Sequence, residues 1–220
     1  MAIKNQQENL MNMKSFDASE NFVDNYKFLI GGILPRPIAV VGTKNADGSN
    51  NLAPFSFFTG ISAKPMIVAF CPLIRSSNGE KKDTVINIER EKEFSINMCT
   101  RPIAEKVNMA STELPYGEDE FIFSGLTPKL GEKIKAPLLA ESPVQYECIL
   151  RDVLNYGDLP GAGRLITGEV VKIHVAEEVL DSGRILTQKA KPVGRGAGND
   201  WFETSNPFEL ERLMKAQIQK

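Results

Sequence analysis

The sequence predicts a single domain that is mostly antiparallel β, with a few helices packed outside it. Short apolar runs rich in β-branched residues recur along the chain, and turn-forming residues separate them. Helical patterns are fewer and shorter, and no internal repeat or clear linker divides the 220 residues. With 42% hydrophobic residues, a chain of this length can bury a substantial core without disulfides or metals.

The first strands are predicted to form the start of an antiparallel meander. Residues 38–43 are a short β-branched run, and residues 45–48 (NADG) supply turn chemistry after it. An extended, Phe-rich pattern over 51–61 and a buried strand at Met66–Phe70 follow. If 55–58 continue as a strand, Phe55 and Phe57 share one face and Ser56 and Phe58 the other. One of these pairs would then fill the core.

Three further strands are predicted at 94–99, 144–150 and 165–175, and a loop over 157–163 separates the last two. In the last strand Val171, Ile173 and Val175 share one face, while Lys172 and His174 share the other. Because His174 lies beside a lysine on the polar face, we expect it to face solvent or a second subunit rather than to act in catalysis.

Helix starts are predicted at three places. Asp83 or Thr84 can cap a helix that continues through 85–88, and Pro102 suits the first turn of another. Asn206 and Pro207 resemble the cap and first position of a terminal helix. Residues 116–124 and 127–137 are predicted to be loops.

Composition excludes several classes of function. The net charge of −2 provides no basic field for nucleic acid or an anionic membrane, so a local pocket must hold any anionic ligand. Three cysteines without a CxxC pair and one histidine predict no metal site, and reduced thiols indicate a cytoplasmic protein. Residues 1–19 are polar and unlike a signal peptide. We expect 1–20 to be a flexible leader and 21–220 to form the domain.

A phosphate site is one interpretation of residues 75–84. Hydroxyl groups, positive charges and the start of a helix occur together there, a combination that suits a phosphate dianion. A polar loop before a capped helix is the simpler interpretation of the same residues taken alone. The candidates are Arg75, Ser76, Ser77, Lys82, Asp83 and Thr84.

Several segments in order resemble the flavin reductase-like, FMN-binding split-barrel family. They read RPIAVV at 36–41, DGSNNLAPFSFF at 47–58, KDTVINI at 82–88 and FSIN at 94–97. Further matches are SP at 142–143, GEVV at 168–171 and PVGR at 192–195, so the resemblance extends over about 22–203. It implies a β-barrel with peripheral helices, bound FMN, and a homodimer with FMN at or near the subunit interface.

The resemblance also implies which residues line the flavin. Backbone groups of the strand around 54–59 face the isoalloxazine ring in similar proteins, which assigns that role to Pro54, Phe55, Ser56, Phe57 and Thr59. Arg36 lies between two prolines and either contacts the cofactor or forms an ordinary surface ion pair. If the protein is a dimer, His174 or Trp201 could reach the partner's flavin, although packing is the simpler role for Trp201.

Two functions from different classes fit these features. The first is an NAD(P)H:flavin oxidoreductase that transfers hydride from NADH or NADPH to FMN N5 and passes electrons to a small molecule or a protein. The chemistry belongs to the cofactor, so no catalytic side chain is predicted. The alternative is an FMN-binding electron carrier, like a flavoredoxin, without NAD(P)H turnover. A split-barrel binding module that has lost flavin is a third possibility, and the Ser, Lys and Thr set argues against it.

Overall fold

The computed structural model describes residues 11–18, 22–204 and 206–212. Most of the predicted leader, residues 1–10 and 19–20, lies outside the described residues, as do residues 213–220. Residues 11–17 form no helix or strand, and the side chains of Met11 and Met13 are exposed. In the described part of the chain, no helix is long and apolar enough to cross a membrane.

The main sheet consists of seven antiparallel strands. They are β1 (Ala39–Lys44), β2 (Asn50–Phe55), β3 (Phe58–Ala63), β4 (Met66–Phe70), β5 (Glu93–Met98), β6 (Val144–Asn155) and β7 (Arg164–Val175). This arrangement confirms the prediction of a mainly β protein. The strand at Met66–Phe70 has the predicted bounds, whereas β6 continues five residues beyond the predicted end at 150.

The order of the strands forces the sheet to curl into a barrel. Across the sheet the order is β2-β1-β5-β6-β7-β4-β3, so its two edge strands are consecutive in the chain. Only Ser56 and Phe57 connect β2 to β3, and a link this short spans roughly 10 Å. The two edges must therefore approach each other, although no ladder of hydrogen bonds joins them in the described structure. The barrel is left open along this seam.

Two apolar clusters form the core, one on each side of β1. Ala39 and Val41 face the barrel interior with Phe70 and Phe94, whereas Val40 faces an outer cluster. This placement explains why the run at 38–43 is apolar without alternation, since a strand buried on both faces has no polar side. The helix that begins at Asp83 inserts its residues Val85 and Ile88 among the inner cluster.

Five α-helices surround the barrel in the described part of the chain. They are α1 (Phe22–Gly32), α2 (Asp83–Glu91), α3 (Ala104–Met109), α4 (Glu120–Ser124) and α5 (Thr187–Ala190), with short 3-10 turns at Arg101–Ile103 and Glu177–Val179. A small antiparallel sheet joins Arg36–Pro37, Val193–Arg195 and Trp201–Glu203. Two further pairs of two-residue strands are Pro128–Lys129 with Leu138–Leu139 and Leu180–Asp181 with Arg184–Ile185.

Helices α1 and α4 have no counterpart in the sequence-based prediction, and the loop predicted over 116–124 is wrong at its end. Asp119 is the N-cap of α4, and its side chain accepts hydrogen bonds from the backbone N–H groups of Phe121 and Ile122. The buried ring of Phe121 anchors this helix in the outer cluster. An aspartate followed by a glutamate and then an apolar run was the signal for a helix here.

Two predicted helix starts are also wrong. The N-cap of α2 is Lys82, without a side-chain hydrogen bond, because Asp83 and Thr84 bond elsewhere. Residues 206–212 form no helix, and the side chains of Phe208 and Leu210 are more than 80% exposed. Without a buried apolar face, a short helix is only marginally stable in water.

The strand predicted over 51–61 is broken at the seam, where the chain passes from one sheet edge to the other. Ser56 and Phe57 lie in neither strand, so the expected alternation of faces fails. Phe55 and Phe58 both pack against the inner cluster, and the rings of Phe55 and Phe70 lie 5.2 Å apart.

The two faces of β7 are also the reverse of the prediction. Val171 and Ile173 are exposed, whereas His174 is half-buried against the fully buried Glu147. A shift in the register between β7 and β6 at Val170 and Lys172 marks a β-bulge, which redirects the side chains that follow it.

Candidate functional site

A cleft of about 610 Å³ lies at the open seam of the barrel. Four parts of the chain provide most of its lining: the end of β2 with the link that follows, the segment after β4, the start of α2, and the segment between α3 and α4. Its size falls within the roughly 300–1,000 Å³ that is typical of small-molecule and cofactor pockets.

Most of the predicted site residues meet in this cleft, although they come from two separate parts of the sequence. Those that line it are Pro54, Phe55, Ser56, Phe57, Arg75, Ser76, Ser77, Lys82, Asp83 and Thr84. Arg36, Thr59, His174 and Trp201 are not among its lining residues.

One end of the cleft carries the charged and hydroxyl groups. Arg75 Nη2 lies 3.0 Å from Asp83 Oδ1, an ion pair in which both side chains are largely buried. Lys82 Nζ lies 3.0 Å from Glu113 Oε1, and Ser77 Oγ donates to Glu113 Oε2 at 2.9 Å. Contacts with Lys82 and then Ser77 lower the pKa of Glu113 against a smaller opposing effect of burial. Glu113 is therefore an anion held by the predicted phosphate donors.

Two donors remain available at this end. Arg75 Nε is buried and has no hydrogen-bond partner in the described structure, which is costly for a donor without access to water. The first turn of α2 has no side-chain cap hydrogen bond, so its backbone N–H groups remain available beside the cleft, although Asp83 in that turn already places a carboxylate at the positive end of the helix dipole. An anionic group of a ligand would satisfy both.

The other end of the cleft is formed by a sheet edge. Strand β2 pairs with β1 along one side only, which leaves backbone N–H and C=O groups of its other side without a ladder partner. Ala53 and Phe57 line the cleft here together with the side chains of Leu73 and Leu114. Backbone polar groups beside apolar side chains suit a flat heteroaromatic ring.

A buried polar network supports the floor of the cleft. Thr84 Oγ1 donates to Asn51 Oδ1 at 3.0 Å, and Thr43 Oγ1 donates to the same atom at 2.9 Å. Asn51 Nδ2 donates to both carboxylate oxygens of Glu120 at 3.0 Å, and the N–H of Leu52 donates to Oε2 at 2.9 Å. Burial raises the pKa of Glu120 in spite of these bonds. The proton of Thr84 is thus committed to the network rather than to the cleft.

Arg36 lies behind the cleft and is buried rather than at the surface. Its Nη1 donates to the carbonyl oxygens of Ile30 and Ile33 at the end of α1, and Nη2 donates to the carbonyl oxygen of Gly196 at 2.7 Å. Its Nε donates to Ser56 Oγ at 3.2 Å. Arg36 therefore holds α1 and the small sheet against the link between β2 and β3, and positions Ser56.

The remaining predicted residues lie away from the cleft. Thr59 is exposed on β3, and its hydroxyl donates to the carbonyl oxygen of Gly60 at 3.3 Å. His174 Nε2 lies 2.6 Å from Glu147 Oε1. Trp201 packs against the outer cluster with the Arg195 guanidinium 5.1 Å from its ring centre, and lines a separate cleft of about 380 Å³.

Tyr26, Glu113 and Glu120 are among the cleft residues that the sequence did not predict. Tyr26 lies on the unpredicted α1, and Glu113 and Glu120 lie in or beside a segment predicted to be loop. The Asp119 cap could have placed Glu120 on a helix. No local pattern points to Glu113, since its partner Ser77 is 36 residues away.

Comparison with known proteins identifies the family. A model of the flavin reductase like domain matches residues 31–191. A protein of Halalkalibacterium halodurans is 37% identical over 191 residues, which cover 86% of this chain and 91% of that protein. A protein of Aquifex aeolicus is 36% identical over 187 residues, covering 84% and 93%.

Solved structures agree with this assignment. Nitrilotriacetate monooxygenase component B from Bacillus cereus superposes with a TM-score of 0.86 at 34% identity, covering 91% of this chain and 100% of that one. A protein with a split barrel domain from Shewanella frigidimarina superposes with a TM-score of 0.77 at 21% identity, covering 91% and 100%, and so supports the fold alone. The chain belongs to the flavin reductase-like family and has its split-barrel fold.

Proposed function

We propose that the protein binds FMN in the cleft at the barrel seam and acts as an NAD(P)H:flavin oxidoreductase. The observation that carries the proposal is the meeting of phosphate donors and an unpaired strand edge in one cleft. The chain's membership of the flavin reductase-like family makes a flavin the natural occupant.

The charged end of the cleft would hold the phosphate. Ser77 Oγ and Lys82 Nζ already bind a carboxylate there, which shows that these two groups converge on one anion. The unpartnered Arg75 Nε and the uncapped start of α2 add further donors. Asp83 takes part through its ion pair with Arg75 and does not itself bind the phosphate.

The strand edge would hold the isoalloxazine ring. Ser56 and Phe57 lie outside the strand ladder, so their backbone N–H groups would provide hydrogen bonds, and the side chains of Phe57 and Leu114 would provide apolar contact. Arg36 fixes Ser56 at the ring end through a hydrogen bond of 3.2 Å, a positioning role. Pro54 has no N–H group, and the N–H groups of Ala53 and Phe55 face β1, so the link after β2 would supply the donors.

Bound FMN would supply the redox chemistry, accepting hydride from NADH or NADPH at N5 and passing electrons to a small-molecule or protein acceptor. The residues of this chain bind and orient the ring and keep one of its faces open to the nicotinamide. The B. cereus relative is named as one component of a monooxygenase, which favours a separate protein as the final acceptor.

A homodimer is part of the proposal. The apolar side chains of Val171 and Ile173 on β7 are exposed, and a second copy could cover them. Size-exclusion chromatography with light scattering should give about twice the mass of 24.3 kDa. A monomer at micromolar concentration would contradict this part of the proposal.

The activity is tested by an anaerobic titration of the FMN-loaded protein with NADH and then NADPH, followed by visible absorbance. Rapid bleaching of the flavin band by either donor is expected, and the better donor gives the specificity. Flavin that stays oxidised with both donors and is reduced by dithionite would contradict the reductase and favour the electron carrier. Failure to bind FMN would contradict both.

A further inference from the structure

Glu113 occupies the position that the proposed function gives to a phosphate. Its Oε2 accepts a hydrogen bond of 2.9 Å from Ser77, and its Oε1 lies 3.0 Å from Lys82 Nζ. The same Oε1 is 4.0 Å from Arg75 Nε, the buried donor that has no hydrogen-bond partner in the described structure. One carboxylate therefore contacts the three groups that would bind the phosphate of FMN.

The chain holds this carboxylate weakly. Glu113 lies on the segment between α3 and α4, and its side chain is 45% exposed, against 13% for Arg75. Exposed ion pairs of this kind are screened by water and salt, so each stabilises a protein only slightly. A ligand with a stronger anion could displace Glu113 at a modest cost.

The charges at this end of the cleft require such a displacement. Arg75 and Lys82 carry two positive charges, and Asp83, Glu113 and Glu120 carry three negative charges when ionised. Asp83 is committed to Arg75, and Glu120 lies within the buried network. Glu113 is the one carboxylate of the three that can turn into solvent without leaving a buried charge behind. A phosphate dianion cannot share these donors with it.

We propose, on the basis of the proposed function, that Glu113 is a built-in substitute for the flavin phosphate. FMN must displace it, whereas riboflavin, which has no phosphate, leaves it in place. Glu113 then stabilises the free protein and the riboflavin complex equally, so its effect on riboflavin binding cancels. It stabilises the free protein but not the FMN complex, and it therefore weakens FMN binding alone. Glu113 is thus a specificity-determining residue. It reduces the factor by which the protein binds FMN more tightly than riboflavin.

The test compares the FMN and riboflavin dissociation constants of the wild type and Glu113→Gln. Flavin fluorescence quenching at low ionic strength measures both. Glu118→Gln is the matched control, because Glu118 is exposed on the same segment and does not line the cleft. It removes the same charge without touching the donors.

The proposal predicts that Glu113→Gln lowers the Kd for FMN by about three- to tenfold, the range set by losing weak exposed ion pairs. The Kd for riboflavin should change less than about twofold, because riboflavin does not displace Glu113. Glu118→Gln should leave both constants unchanged. Glu113→Ala, which also removes the hydrogen bonds, should lower the Kd for FMN at least as much as Glu113→Gln does. Thermal unfolding of each variant confirms that it is folded.

Other outcomes overturn the inference in distinguishable ways. If wild type binds both flavins and Glu113→Gln leaves their Kd ratio unchanged, the role of Glu113 is wrong and the proposed function stands. Weaker FMN binding by the variant would instead make Glu113 part of the binding site. If wild type binds neither flavin, the proposed function itself fails and the inference fails with it.

Discussion

Replacing Glu147 with glutamine should make the stability of the protein less dependent on pH. Glu147 is fully buried, and its carboxylate accepts hydrogen bonds from the backbone N–H groups of Glu132, Lys133 and Ile134. His174 Nε2 lies 2.6 Å away. Burial alone would raise the pKa of Glu147, but these partners outweigh it and lower the pKa from 4.5 to about 2.

The size of the effect follows from the two pKa values. A difference of about 2.5 pH units, at about 1.36 kcal/mol for each, corresponds to about 3 kcal/mol of stability from the ionised carboxylate. Because the pKa is lower in the folded state, this stability is fully present above about pH 4.5 and is lost as the pH falls toward 2. Between pH 5 and pH 3, about 2 kcal/mol should be lost.

Urea unfolding of wild type and Glu147→Gln at pH 7, 5 and 3 measures this directly. We expect the variant to be less stable at pH 7 by about 3 kcal/mol, and the difference to shrink by about 2 kcal/mol between pH 5 and pH 3. Other carboxylates titrate in both proteins and cancel in the difference. A difference that stays constant from pH 7 to pH 3 would refute the reasoning.

Three further substitutions test the site and the core. Lys82→Met should raise the Kd for FMN about tenfold, because it removes one charge-assisted hydrogen bond, and should raise the Kd for riboflavin less. Equal effects on both flavins in a fluorescence titration would contradict the phosphate assignment. Thr84→Val should lower the free energy of unfolding by about 1 kcal/mol through the lost bond to Asn51, and an unchanged urea midpoint would show that this bond contributes nothing. Gly168→Ala would place a methyl group 2.3 Å from Cζ of the fully buried Phe94, so it should lower the free energy of unfolding by about 1–3 kcal/mol. A variant as stable as wild type would mean that the ring can move aside.

The strands could be predicted because burial determines their sequences. The apolar β-branched runs at β1 and Met66–Phe70 lie in the core, and no other local structure suits them as well. The family resemblance added the barrel, which strand patterns alone did not provide. It also brought together residues 54–57 and 75–84, which the structure places in one cleft.

The missed features depend on contacts that are distant in sequence. Glu120 bonds to Asn51 across 69 residues, and Glu113 bonds to Ser77 across 36. No local pattern encodes these distances. The two faces of β7 were reversed for a related reason, because the bulge beside Val171 depends on how β7 pairs with β6. The partners of a strand decide such irregularities, and its own sequence does not.

A crystal structure of the protein with FMN tests the central claim most directly. The account predicts the phosphate within hydrogen-bonding distance of Ser77 Oγ and Lys82 Nζ, the ring against the β2 edge at 53–57, and Glu113 turned away into solvent. A flavin bound elsewhere, or a phosphate outside this cleft, would contradict the account.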